Sequence, residues 1–392
     1  MDETFISDYY EGAKIITPDD GYHYFFGYYD MRATQGSKHL CHRVSFMDRL
    51  PEAEDVAELG YLEDGKFTPF ATTTAWNFQQ GAMLQFHPYL ENTVYYNVYE
   101  NGSFSTVTHN FVTGEKKCTD RPAACVSPDG KWGMAVNFAR IFAFRPGYGY
   151  AASVDPHPDV PAPADDGIFL TDMDSGISKL LVDYPTMAKV CGYGPEAKIL
   201  VNHITFNPAS DRYVALVRDF PTPDKKWWQW TTTLIVGDLQ GNIRVLPSDT
   251  YASHYIWKDA KHLIIHCSAE IAGKKSMYDI NTDDGTFVEL DMPYFHEKWN
   301  PDIHCNVSPD GKYDIGDGYP IDCYRWIEAL NLETGATRTL LKSRTVKPPL
   351  DDIRCDLHNR FVFDGKYISF DTTQNGCRQI ALVDSGKLNT IF

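Results

Sequence analysis

The chain lacks most of the signatures that announce a function directly. It has no apolar run long enough to cross a bilayer, no Gly-rich phosphate loop, no G-x-S-x-G elbow and no H-E-x-x-H helix. Basic residues are scarce, with 36 Lys and Arg against 53 Asp and Glu, for a formal charge of −17. That balance argues against nucleic acid and anionic membranes as partners, because a polyanion needs a basic surface. Any acidic ligand must be met by a local positive site. Nine cysteines form no C-x-x-C pair, and the acidic opening MDETFISDYYEG has no apolar signal core. Both features favour free thiols and a reducing cytoplasm. Long helical periods of apolar residues are missing as well, while 14% of the chain is aromatic. This suits β-strands.

What is present is a repeat. Ser308-Pro309-Asp310-Gly311-Lys312 has tight-turn chemistry: Pro presets φ, Asp bonds to nearby backbone, and Gly accepts positive φ. Short apolar runs flank it, so the unit reads as a β-hairpin. The same unit lines up at Ser127-Pro128-Asp129-Gly130-Lys131, Asn207-Pro208, Lys258-Asp259 and Phe363-Asp364-Gly365-Lys366. Looser copies sit at His87-Pro88 and at Thr34 to Lys38. Seven units of about 50 residues, none able to bury its faces alone, predict a single all-β domain, a seven-bladed β-propeller. The expected blades run over residues 21–70, 71–118, 119–187, 197–247, 248–291, 298–342 and 350–392 of the domain 1–392. A strand at Ala13 to Thr17 is expected to close the ring against the last blade.

The alignment fixes a column five residues before the Pro position. It holds Asp30, Met83 and Ala123 in the first three units, then His203, His254, His304 and His358. In a propeller the innermost strands line a central channel, so these four imidazoles should meet at one mouth. With Asp302 or Asp356 they form a competent ligand set for Mn²⁺, Zn²⁺ or, with more oxygen, Ca²⁺. The plainer alternative is a ring of histidines that ties blades together through backbone carbonyls.

Other candidates are scattered. His23 and His42 lie in an aromatic-rich first unit. Gln79 and Gln80 could bond sugar hydroxyls. Arg140 and Arg145, in a long Pro- and Gly-rich insertion, are natural cations for a carboxylate. Trp227, Trp228 and Trp230 offer a stacking platform.

The stretches GYHYFFGYYDM, HRVSFMDRLP, AWNFQQGAMLQFHP and RPGYGYA resemble seven-bladed β-propeller polysaccharide lyases, including L-rhamnose-α-1,4-D-glucuronate lyases and, more distantly, ulvan lyases. SHYIWKDAKHLII, DIHCNVSPDGKYDIGDG and DLHNRFVFDGKYISF resemble repeats of oligogalacturonate lyases. The resemblance implies that His304 and His358 match metal ligands, that Asp356 stands where that family has another His, and that His254 matches a base with His203 beside it. His23 and His42 resemble a histidine pair of the ulvan and rhamnosyl-glucuronate lyases, and Tyr99 stands where those relatives carry Arg.

The expectation is therefore a lyase that cleaves a 4-linked uronic acid of an oligosaccharide by β-elimination. His23, His42 and His254 would transfer protons; Gln80, Arg140, Arg145 and His203 would bind the sugar. A divalent cation would sit on His254, His304, Asp356 and His358. A glycoside hydrolase or a non-catalytic glycan-binding propeller are the competing readings.

Overall fold

A computed structural model describes residues 13–221, 229–269, 274–290, 302–320 and 323–392. Seven antiparallel sheets follow one another along the chain, six of four strands and one of five. The innermost strands are His23–Phe25, Gln85–Phe86, Ala123–Val126, Ile199–Phe206, Ala252–Trp257, His304–Val307 and Arg360–Val362. This is the seven-bladed β-propeller. The seventh sheet contains only three consecutive strands of its own, and Ala13–Ile15 supplies the fourth by pairing with Gln379–Asp384. The ring thus closes where the first unit's leading segment was expected to close it.

The repeated turns are built alike. At both Ser127 and Ser308 the hydroxyl donates to the Asp two residues on, at 2.6 Å, and accepts from the backbone N–H five residues on, Trp132 or Tyr313. Gly130 and Gly311 both take φ +72°, which only Gly adopts at little cost. Apolar side chains then fill the gaps between blades. Ile315, Ile327 and Leu341 of the sixth pack with Ile368, Phe370 and Ala381 of the seventh, and Val214, Leu216 and Leu234 of the fourth with Leu263, Ile265 and Tyr278 of the fifth.

The long insertion of the third blade is folded. Asn137 caps helix α1 (Phe138–Phe144) by accepting from the Arg140 N–H at 2.9 Å, and a 3-10 turn at Pro146–Tyr148 follows. Gly147 then presses on the entry to the seventh blade so closely that a Cβ there would lie 2.5 Å from the Asp352 carbonyl oxygen. The insertion therefore reaches across the channel mouth from the third blade to the seventh. All nine cysteines are free, and no helix among the described residues is long and apolar enough to cross a membrane.

The Ile16 N–H donates to the Ile380 carbonyl at 3.0 Å at the edge of the closure. Ile16→Pro should cost about 1–3 kcal/mol by leaving that buried acceptor unmet, read as a lower denaturation midpoint, whereas Lys14→Ala should leave the midpoint within error.

Candidate functional site at the channel mouth

The four column histidines converge. The His254 and His304 ring centroids are 3.9 Å apart, those of His304 and His358 4.4 Å, and those of His203 and His254 6.5 Å. Local backbone irregularity aims them. The ladder of the fourth blade slips between Asn202 and Thr205, and that of the fifth between Ala252 and Tyr255, so His203 and His254 sit on bulges. Bulges turn a side chain out of the sheet. His203 and His358 take φ +48° and +45°, a left-handed conformation that costs energy for a non-Gly residue and so marks a position held by its surroundings.

Carboxylates orient the rings. Asp317 accepts from His304 Nδ1 at 2.6 Å and, with its other oxygen, from the Leu357 and His358 N–H groups at 2.7 and 3.2 Å. With Nδ1 engaged, His304 turns Nε2 inward. The Nε2 atoms of His304 and His358 are both buried without a hydrogen-bond partner. Donor atoms of these three residues lie within 4.8 Å of one another. Two imidazoles and a carboxylate, desolvated, convergent and backed by a carboxylate on the far nitrogen, fit a divalent metal ion. These three residues could hold one.

His254, expected as a fourth ligand, stands outside that group, because its Nδ1 contacts Asp302 Oδ1 at 2.8 Å. Burial lowers the His254 pKa to about 4 even though Asp302 opposes the shift. Burial alone would raise the Asp302 carboxyl; His254 and His266 override it and hold it well below its ordinary range. At neutral pH the pair is a neutral imidazole against a carboxylate. Asp302 therefore serves His254 and His266 and is not among the three convergent donors.

A cationic cluster adjoins the histidines. Asp356 receives Arg325 Nη2 at 2.5 Å and Arg354 Nε at 3.0 Å on Oδ1, with Arg354 Nη2 2.9 Å from Oδ2. Arg354 Nη2 also donates to the Tyr148 hydroxyl at 3.1 Å, and Arg145 stacks over the Tyr148 ring at 4.6 Å while pairing with Asp352 at 3.2 Å. Arg218 is 4% exposed; its Nε has no hydrogen-bond partner, and no carboxylate among the described residues pairs with it. Burial first, then the charge of Arg145, lowers its pKa. Trp230 lies beside both Arg145 and Arg218, at 5.7 and 5.8 Å. The expected Trp227 and Trp228 lie outside the described residues.

Tyr28 completes the mouth, its hydroxyl 2.6 Å from His203 Nδ1 with the rings stacked. Gln80 lines a small cavity with Tyr28 and His203, so it does reach the channel. Arg140 does not. It is fully buried, paired with Asp155 at 2.9 Å and bonded to the carbonyls of His157, Val160, Pro161 and Ile199. All its donors fold the insertion, leaving none for a sugar.

His42 is likewise a structural residue, contrary to expectation. Its Nε2 accepts from the Ala82 N–H at 2.9 Å, its Nδ1 faces the Phe25 carbonyl at 3.3 Å, and the ring fills the space a Gly81 Cβ would need. Neither nitrogen can meet a substrate. His23 sits at the junction with the last blade, where its Nδ1 takes the Arg378 N–H at 3.4 Å; it is not brought together with the four column histidines.

Asp317, Arg218, Arg325, Arg354, Tyr28 and Tyr148 were not singled out from sequence. For Asp317 a signal existed: YDIGD and YISFD end in Asp at the same place of the repeat, and Asp371 likewise accepts from the N–H groups of Phe26 and Gly27.

No family model matches the chain, and no curated protein is similar to it in sequence. Among solved structures, an oligogalacturonate lyase in complex with manganese matches with a TM-score of 0.66 and 14% identity, over 95% of this chain and 92% of that one. An oligogalacturonate lyase from Vibrio parahaemolyticus gives 0.63 and 14%, over 95% and 93%. The chain shares their fold. At this identity the likeness establishes the seven-bladed architecture and carries no residue's role.

Burial lowers the pKa of His39 to about 3 and of His42 to about 4, from an ordinary 6.5. The unfolded chain therefore takes up protons at these two residues before the folded one does. Their contribution is full above pH 6.5 and is lost as the pH falls towards 4. Between pH 7 and pH 5 each should remove about 2 kcal/mol of unfolding free energy. Denaturant titrations at the two pH values that gave equal stability would contradict the assignment.

Proposed function

We propose that the protein is a uronide lyase, cleaving a 4-linked uronic acid in an acidic oligosaccharide by β-elimination, with rhamnosyl-glucuronate as the leading substrate. The observation that carries this reading is Arg218: a buried guanidinium with no carboxylate partner among the described residues, beside Arg145 and a metal-competent His/Asp/His group, in a chain of net charge −17. A buried unpaired cation is costly unless a ligand anion completes it.

β-Elimination asks for three things, and the mouth has a group for each. Arg218 and Arg145 hold the uronate carboxylate, so that negative charge developing as C5 loses its proton meets preorganised positive charge. His254, with Nδ1–H on Asp302, presents Nε2 as the base that takes the C5 proton. The C5–H electron pair becomes the C4–C5 double bond as the C4–O4 bond breaks, and O4 takes a proton from the Tyr28–His203 pair. His304, Asp356 and His358 would hold the cation; two imidazoles and one carboxylate suit Mn²⁺ or Zn²⁺ better than Ca²⁺. When bound, the ion supplies further positive charge to the carboxylate.

A hydrolase on this scaffold needs two carboxylates available to the glycosidic bond and its water. Here Asp302, Asp317 and Asp356 are each engaged by His or Arg, and Asp30, which lines the Tyr28–His203 cavity without such a partner among the described residues, is one carboxyl where a hydrolase needs two, which favours elimination.

The test is a panel of uronate-containing oligosaccharides with 4-linked residues, read by ultraviolet absorbance and product mass. An unsaturated uronate supports the reading; a product heavier by one water and without the ultraviolet band overturns it. Arg218→Ala should lower kcat/KM by about 10²–10³-fold while the fold persists. Because kcat/KM requires neutral His254, it should rise through an acidic limb near pH 4 and stay level to neutrality. Asp302→Asn removes the group that raises the His254 pKa, so the limb should move lower and the plateau should fall at least about 10²-fold.

A further inference from the structure

Asp356 has two claims on its charge. Its Oδ1 is held by Arg325 and by Arg354 Nε, and its Oδ2 lies 2.9 Å from Arg354 Nη2, while a carboxylate oxygen of the same residue lies within 4.8 Å of ligand nitrogens of His304 and His358. Arg325 Nη2 at 2.5 Å and Arg354 Nε and Nη2 at 3.0 and 2.9 Å therefore pair this one buried carboxylate with two guanidinium groups. A divalent cation placed on Oδ2 would share one carboxylate with two fixed positive charges in a desolvated site, where like charges repel strongly.

Arg354 is also the link between the two halves of the mouth. Its Nε lies on Asp356, its Nη2 reaches the Tyr148 hydroxyl, and Tyr148 lies under Arg145. Tyr319 lies 5.2 Å from the Arg354 guanidinium on another side. An anion seated among Arg145, Arg218 and Arg354 would offset the charge that opposes the metal.

We propose that Arg354 couples the two sites: it weakens metal binding at His304, Asp356 and His358 until a carboxylate ligand occupies the arginine cluster, so that cation and anion bind cooperatively. The uronide reading enters only in the choice of a uronate as the anion. By linkage the metal tightens the anion by the same factor that the anion tightens the metal. The site is then half-assembled in the free protein, and substrate completes it.

The test is titration of Mn²⁺ into metal-free protein, with free ion counted by electron paramagnetic resonance, alone and with D-glucuronate whose own binding is measured by calorimetry. In the wild type, glucuronate should tighten Mn²⁺ by about tenfold. Arg354→Gln should tighten Mn²⁺ by about tenfold without any sugar, and glucuronate should then add little. Arg354→Lys, which keeps the charge, should stay near the wild-type affinity. Arg325→Gln removes the other charge on Oδ1 and carries the same expectation as Arg354→Gln, should the latter not fold. Folded Arg354→Gln or Arg325→Gln protein that binds Mn²⁺ no tighter than wild type overturns the coupling, as does an unchanged wild-type Mn²⁺ affinity with glucuronate bound. Failure of glucuronate to bind counts against the uronide reading instead, and the sugar-free comparison of variants still decides the role of Arg354.

Discussion

Where the ring closes, from the sixth blade through the seventh to the first, it depends on carboxylates that tie one blade to the next at the channel mouth. Asp317 of the sixth blade accepts the Leu357 and His358 N–H groups that lead into the seventh, and Asp371 of the seventh accepts those of Phe26 and Gly27 in the first. An inner strand has to leave its ladder where it enters the channel, and the N–H groups freed there need buried acceptors. The tie at Asp317 also engages His304 Nδ1. The group that joins two blades thus sets which nitrogen of the metal-competent histidine faces inward, so architecture and site chemistry share one side chain.

Charge is the second constraint. Burying Arg145, Arg218, Arg325 and Arg354 around one mouth would be prohibitive without compensation. Asp352 pairs with Arg145 and Asp356 with Arg325 and Arg354, and among the described residues no carboxylate pairs with Arg218. An acidic chain that places four arginines at the channel mouth has built a local exception to its own field. An anion is the ligand that such an exception fits. The His254–Asp302 and His203–Tyr28 pairs beside it put proton-transfer groups within the same small volume.

The architecture was readable because turns repeat chemistry. Ser308, Asp310 and Gly311 bond to their own backbone locally, so the same spacing returns at Ser127, Asp129 and Gly130 and the looser copies can be aligned to it, and the histidine column follows from that alignment. Where function depends on residues outside the shared column, the repeat is silent. Arg218 ends an ordinary strand, RYVALVRD, and nothing in that run distinguishes a buried unpaired guanidinium from an exposed one. His42 misled for the converse reason: residue type and family resemblance do not report that Ala82 and Phe25 already occupy both its nitrogens. Arg140 and Arg145 sit five residues apart, yet one closes the insertion and the other faces Tyr148, because Arg140 lies within helix α1 while Arg145 caps its end in an extended conformation.

The most direct test of a metal-competent group beside an anion-binding arginine is anomalous diffraction at the manganese edge from crystals grown with Mn²⁺ and D-glucuronate. The account predicts one strong peak between His304 Nε2, His358 Nε2 and Asp356, with the glucuronate carboxylate on Arg218. A manganese peak elsewhere, or a sugar carboxylate bound away from Arg218, would contradict it.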